Sequence, residues 1–313
     1  MTRIALVGAG VIGASWSLVF ARAGLDVTVY DANPGSAEKG VDFVRSALLD
    51  LEAQGLASAE SPDAILARIK PVQHLEGALE GADYVQESAP ERVEVKRELY
   101  KRLDALTRPD AILASSTSGL PASAFTEGLA HGSRCLVVHP INPPHLIPLV
   151  EIVPAPWTNP DVVKRATDLM QRVGQSPIPL RREINGFVVN RLQSALLAEA
   201  FRLVEDGIVD ADEVDRAVSD GLGLRWFFMG PFKTIDLNAK AGIVEYCRNL
   251  GPMYYSLARE QADPRPWTSA LVEAIELQLR GLTPSISISQ QQTWRDRCLA
   301  KLVHIKKGGA LGM

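Results

Sequence analysis

Two residues in this sequence have the types and settings needed to take a proton from an alcohol. His139 ends the apolar run Cys135-Leu136-Val137-Val138, and an imidazole accepts or releases a proton near neutral pH. Glu151 interrupts a second apolar run, Leu149-Val150-Glu151-Ile152-Val153, where a carboxylate is costly to bury without a partner. A carboxylate behind the imidazole would fix its tautomer and stabilise the imidazolium. Spacing alone leaves another reading open, in which both are solvated rim residues. Ser118 lies in the polar turn Ser115-Ser116-Thr117-Ser118-Gly119. Its hydroxyl has the chemistry to bond a substrate oxygen, although composition favours an ordinary turn serine. Asn190, taken alone, reads as a packing or capping residue.

A second set of residues suits a dinucleotide. The apolar run Ile4-Ala5-Leu6-Val7 leads into Gly8-Ala9-Gly10-Val11-Ile12-Gly13. A helical pattern follows, with Ile12, Trp16, Val19, Phe20 and Ala23 on one face, and a second strand, Asp26 to Tyr30, ends at Asp31. This strand–helix–strand context turns a weak glycine pattern into a specific one. Gly8 allows the tight turn, Gly10 lets a pyrophosphate approach the backbone, and Gly13 lets the helix pack close to the strand. Val11 and Ile12 open the helix whose unpaired N–H groups would face the phosphates. Asp31, 23 residues after Gly8, is placed to accept from the ribose hydroxyls. A 2′-phosphate would meet its negative charge, so NAD is expected rather than NADP.

These groups need a scaffold, and its elements alternate. Strands are expected at 82–86, 111–114, 134–138 and 149–153, with a helix over 91–106. That order predicts a doubly wound parallel sheet, with ligands at the carboxyl ends of its strands. From 186 onward helical patterns and Gly/Pro turns dominate. The expected organisation is therefore α/β, with a dinucleotide-binding domain over 1–185 and an all-helical second domain over 186–313, joined at Asn185-Gly186. The N-terminal 24 residues also mimic a secretory signal, but the strand and glycine turn explain more of them.

Composition narrows the function classes. Hydrophobic residues are 46% and charged residues 22% of 313, with a net charge of −4. That excludes a disordered chain and argues against nucleic-acid or polybasic membrane partners. The longest apolar runs are too short for a spanning helix. Three scattered cysteines, Cys135, Cys247 and Cys298, form no disulfide framework and suit a reducing, cytoplasmic setting. None of the five histidines is spaced with other ligands as a metal site requires, so no metal is expected.

Together the motifs resemble the 3-hydroxyacyl-CoA dehydrogenase superfamily. The resemblance is carried by Thr117-Ser118, His139-x-x-Asn142-Pro143, Leu149-Val150-Glu151 and Gly186-Phe187-Val188-Val189-Asn190-Arg191, in order across both domains. It implies a Rossmann domain that binds NAD, with His139 as general base and Glu151 orienting it. It also implies that Ser118 and Asn190 bond the reacting oxygen, and that Glu91 and Lys96 lie near the nicotinamide half of NAD. Within the superfamily the chain is most similar to the lambda-crystallin, or L-gulonate 3-dehydrogenase, subgroup. His139–Pro144, Gly174–Pro177 and Asp220–Trp226 carry that likeness.

The subgroup implies a homodimer that oxidises the 3-hydroxyl of a small hydroxy acid such as L-gulonate. Acyl-CoA members hold CoA phosphates with a Lys-rich segment after the second strand. Here residues 40–69 carry five acids against two arginines, a net charge of −3, a poor surface for phosphates. Arg225 is the candidate for a substrate carboxylate, and Arg191 is its rival. Alternatives are a 3-hydroxyacyl-CoA, or L-carnitine, whose cation the Trp226-Phe227-Phe228 cluster would cage. A different class is a non-catalytic, crystallin-like NAD-binding protein. Retention of Ser118, His139, Glu151 and Asn190 together argues against it.

Overall fold

The structure is a computed structural model that describes residues 2–308. Its backbone groups into two compact units. Among the described residues, one holds 2–189 together with 293–308, and the other holds 190–292.

The first unit is built on one eight-stranded sheet. Its strands are β1 (Arg3–Val7), β2 (Asp26–Tyr30), β3 (Ile69–Pro71), β4 (Tyr84–Glu87), β5 (Ile112–Ser115), β6 (Cys135–Pro140), β7 (Leu149–Pro154) and β8 (Ser176–Pro179). They run in the order β3-β2-β1-β4-β5-β6-β7-β8. The expected doubly wound α/β sheet is present. Sequence patterning missed β3 and β8, which are three and four residues long and contain Pro71, Pro177 and Pro179. Strand order puts both at the sheet edges, where a proline's missing N–H is tolerated.

All neighbours are parallel except β6 and β7. The link between those two, residues 141–148, holds no helix, and a parallel return needs a crossover of a dozen or more residues. The short link therefore reverses the chain, and the reversal decides the site. It sets His139 directly opposite Glu151 in the antiparallel register.

Both faces of the sheet are covered, as parallel strands require. The Val11–Arg22 helix buries Trp16, Leu18, Val19 and Phe20 against one face, with the Trp16 and Phe20 rings stacked at 5.4 Å. Tyr100, Leu103 and Phe125 pack against the other. This rigid slab holds the carboxyl ends of β1, β4 and β5 in fixed register.

The second unit contains no strand among the described residues, in keeping with the expected helical domain. It includes the helices Ile243–Glu260 and Ser269–Leu282 and most of Val189–Glu205. The final helix, Ile288–Lys307, starts in this unit and continues as part of the first. There Ala300 packs with Leu51 and Leu146, and Arg297 donates to Asp50 at 2.6 and 3.0 Å. The units thus divide the chain at 189/190 and again at 292/293, where the sequence suggested one joint at Asn185-Gly186. No described helix is long and apolar enough to cross a membrane.

Candidate active site

The glycine turn joins β1 to the Val11–Arg22 helix. Gly8 takes φ +102°, and a Cβ there would lie 2.6 Å from the Ser88 carbonyl oxygen. A Cβ on Gly13 would lie 1.8 Å from the Gly8 carbonyl oxygen, so helix and turn touch backbone to backbone. Gly10 differs, because a Cβ there would meet nothing within 4 Å. It caps the helix in extended conformation, and the first intrahelical bond runs from Ala14 N to Gly10 O at 2.8 Å. The N–H groups of Val11, Ile12 and Gly13 therefore have no acceptor inside the helix.

Asp31, just past β2, closes the same turn. Its Oδ2 accepts from Ala9 N at 2.8 Å, and its Oδ1 accepts from Asn33 N at 2.8 Å. A bare glycine at a helix start, beside an oriented carboxylate, fits a dinucleotide. Gly10, Val11, Ile12 and Gly13 would face the phosphates, and Asp31 the ribose.

The His139–Glu151 pair forms at the other end of the site. His139 Nδ1 lies 2.7 Å from Glu151 Oε2, and the Glu151 side chain is fully buried. Glu151 Oε1 accepts from the backbone N–H groups of Val188 and Val189, at 2.7 and 3.1 Å. These N–H groups open the Val189–Glu205 helix, so the carboxylate also meets the positive end of a helix dipole.

Burial alone would raise the Glu151 carboxyl. The hydrogen bonds from His139, Val188 and Val189 outweigh it and hold the group below its ordinary value. The ionised carboxylate only accepts, so a proton sits on Nδ1, and in the neutral ring the lone pair is on Nε2. That is the tautomer a general base needs. Phe187 backs the imidazole with ring centroids 5.5 Å apart, from an unusual φ of +50° next to Gly186 at +73°. Phe187 stood in the Gly186–Arg191 run that carries the family resemblance, but nothing in the sequence assigned it this place behind the imidazole.

The serine turn follows β5. Ser118 is exposed, and its backbone N–H donates to Glu91 Oε1 at 2.9 Å. The same oxygen accepts from Gly119 N at 3.1 Å and from the Thr117 hydroxyl. Glu91 and Ser118, singled out separately in the sequence, thus belong to one turn. Lys96 lies deeper. Its ammonium is 1% exposed and donates to Glu87 Oε1 at 2.7 Å. Glu87, at the end of β4, was not anticipated, because a single acid closing an apolar strand carries no distinguishing pattern.

Asn190 and Arg225 belong to the second unit. Asn190 is half-buried in the first turn of the Val189–Glu205 helix. Arg225 is exposed on the short Gly223–Phe228 helix, which follows a π-helical stretch at Ala217–Leu222. None of the ion pairs among the described residues uses Arg225. Phe227 and Phe228 pack edge to face at 5.2 Å.

The 3-hydroxyacyl-CoA dehydrogenase NAD binding domain matches residues 3–184, and the C-terminal domain of the same family matches residues 186–281. A lambda-crystallin homolog from Bos taurus is 41% identical over 306 residues, covering 97% of this chain and 95% of its own. An L-carnitine dehydrogenase from Pseudomonas putida is 42% identical over 249 residues, covering 79% of this chain and 76% of its own. Among solved structures, 5-formyl-3-hydroxy-2-methylpyridine 4-carboxylic acid 5-dehydrogenase, an NAD+ dependent dismutase, superposes with a TM-score of 0.80 at 28% identity. That match covers 98% of this chain and 99% of the other. With a glycine turn shaped for a dinucleotide and a buried imidazole–carboxylate pair on the same sheet, the chain is an NAD-dependent oxidoreductase that belongs to the 3-hydroxyacyl-CoA dehydrogenase family.

Proposed function

We propose that this protein oxidises the 3-hydroxyl of a small hydroxy acid, with L-gulonate going to 3-dehydro-L-gulonate as the leading substrate. The observation that carries the chemistry is the buried 2.7 Å His139–Glu151 contact. His139 Nε2 takes the hydroxyl proton. Glu151 holds Nδ1–H in place and stabilises the imidazolium as it forms. Ser118 and Asn190 bond the reacting oxygen. Bound NAD supplies the acceptor for the hydride that leaves the carbinol carbon. Gly8, Gly10, Val11, Ile12, Gly13 and Asp31 hold that cofactor, and Glu91 and Lys96 support its nicotinamide end.

Two features support a small acid over a CoA ester. The arginines of the 40–69 segment are already matched to its own acids, Arg68 to Glu60 at 2.5 Å and Arg45 to Asp63 at 3.7 Å. They leave little positive charge for CoA phosphates. Arg225, free of ion pairs among the described residues, suits a carboxylate, which a guanidinium grips with two hydrogen bonds. The similarity to an L-carnitine dehydrogenase favours L-carnitine as the second reading.

The test is NADH formation from L-gulonate, free 3-hydroxybutyrate, L-carnitine and 3-hydroxybutyryl-CoA, measured side by side. A free acid is expected to give the highest kcat/KM. Arg225→Met is expected to raise KM for free acids by about 10- to 30-fold, the worth of a charge-assisted hydrogen bond. Preference for the CoA ester would overturn the small-acid reading. An unchanged KM in Arg225→Met would move the anchor to Arg191.

We also propose a homodimer. The helices Ile243–Glu260 and Ser269–Leu282 contain no buried residue, yet the unit carries Phe232 at 75% and Leu277 at 76% exposure. A hundred-residue helical unit needs a core to fold, and a second copy of the same apolar surface supplies one. Light scattering should give twice the chain mass, and a monomer that keeps full helicity would refute it. The three unpaired cysteines suit a cytoplasmic location.

A further inference from the structure

Glu87 takes no part in the reaction just described, yet it is the most deeply bonded acid near the serine turn. It ends β4 with its side chain fully buried. Its Oε1 accepts from Lys96 Nζ at 2.7 Å and from Ala89 N at 2.6 Å, and its Oε2 accepts from the Ser115 hydroxyl at 2.6 Å. Ser115 Oγ in turn accepts from Thr117 N at 3.2 Å. Lys96 also donates to the Ala89 carbonyl at 3.3 Å and lies 3.9 Å from Glu91 Oε2. Glu91 Oε1 holds the N–H groups of Ser118 and Gly119. The backbone N–H groups of 117, 118 and 119 therefore all end on side chains tied to Glu87, through Ser115 on one side and Lys96 with Glu91 on the other.

A buried ion pair adds little net stability, because desolvation offsets the attraction. What such a network does is define one geometry, since every member loses by moving. A five-residue polar turn is otherwise the kind of segment that moves. We infer that Glu87 is the positioning residue of the serine turn, fixing the Ser118 hydroxyl for the reacting oxygen through Ser115 and through the Lys96–Glu91 bridge. This rests on the proposed contact between Ser118 and the substrate.

The test is a double-mutant cycle read in two ways. Glu87→Gln keeps the shape of the side chain and removes its charge. It is expected to lower kcat by ~10- to 100-fold, the size of effect produced by misplacing a group by about an ångström. KM for the hydroxy acid should change by less than about 3-fold, because the substrate does not touch Glu87. In a Ser118→Ala background, Glu87→Gln should cost less than about 3-fold more, since both act through one hydroxyl. Multiplying losses would overturn the inference.

Hydrogen exchange of the free protein gives the second reading. The amides of 117–119 should exchange faster in Glu87→Gln than in the wild type, and equal rates would overturn the role of Glu87. Ser115→Ala removes the hydroxyl that links Glu87 to Thr117 N and that also accepts from Lys96 Nζ at 3.4 Å, leaves the Lys96–Glu87 ion pair intact, and should give the same pattern at smaller size if Glu87→Gln folds poorly. Full activity in Ser118→Ala would refute the Ser118 contact and this role with it. A slow Ser118→Ala with unchanged exchange in Glu87→Gln would refute the role of Glu87 alone.

Discussion

Replacing His139 with alanine is expected to lower kcat by about 10³-fold, within the range lost when a positioned general base is removed. That corresponds to ~4 kcal/mol of transition-state stabilisation. The imidazole is nearly buried, and its Nδ1 is committed to Glu151. The fold should survive, because Glu151 keeps the N–H groups of Val188 and Val189 as partners after the imidazole is gone. NAD affinity, followed by protein fluorescence, should stay within about 3-fold of the wild type, since the glycine turn is built from other residues. His139→Gln, which refills part of the space against Phe187, should be equally slow. Turnover close to wild type in either variant would remove His139 as the base.

The second large effect is expected at Gly10. A valine there puts its side chain where nothing stands within 4 Å. Its extended backbone, φ −63° and ψ −174°, suits any residue. The variant should therefore melt within about 1 °C of the wild type, as surface substitutions do. NAD affinity should nonetheless fall by about 100-fold or more, because the side chain fills the space in front of the helix N-terminus. The contrast is Gly13→Ala, whose Cβ would lie 1.8 Å from the Gly8 carbonyl oxygen. That variant should lose stability first and cofactor binding as a consequence. Calorimetry together with NAD titration separates the two patterns. A Gly10→Val protein that binds NAD normally would show that the cofactor does not approach this turn.

The glycine turn was legible in the sequence because Gly8 and Gly13 answer to backbone sterics, which leave no choice of residue, while Gly10 is left bare for a ligand rather than by the fold. The chain order of strands and helices was legible for a similar reason, since apolar runs and 3.6-residue periods are local signals. The partnership of His139 and Glu151 was not settled by spacing. It depends on β7 running antiparallel to β6, and that reversal lives in the helix-free link 141–148. The edge strands β3 and β8 escaped notice because their prolines argue against strand, an argument that holds only for interior positions. Glu87 and Lys96 carry no periodicity at all. Their meaning appears only when β4, β5 and the Val93–Leu106 helix converge.

Glu151 faces two ways, and this has a cost in acid. One oxygen holds the imidazole and the other holds the opening N–H groups of the Val189–Glu205 helix. The carboxyl titrates below its ordinary value of 4.5, so it favours the folded state above that pH and stops doing so as pH falls through the lowered value. A single proton on this group would therefore cut both tethers at once. The imidazole would lose its tether in the same step as the helix lost its anion, so the two contacts share one titration rather than two.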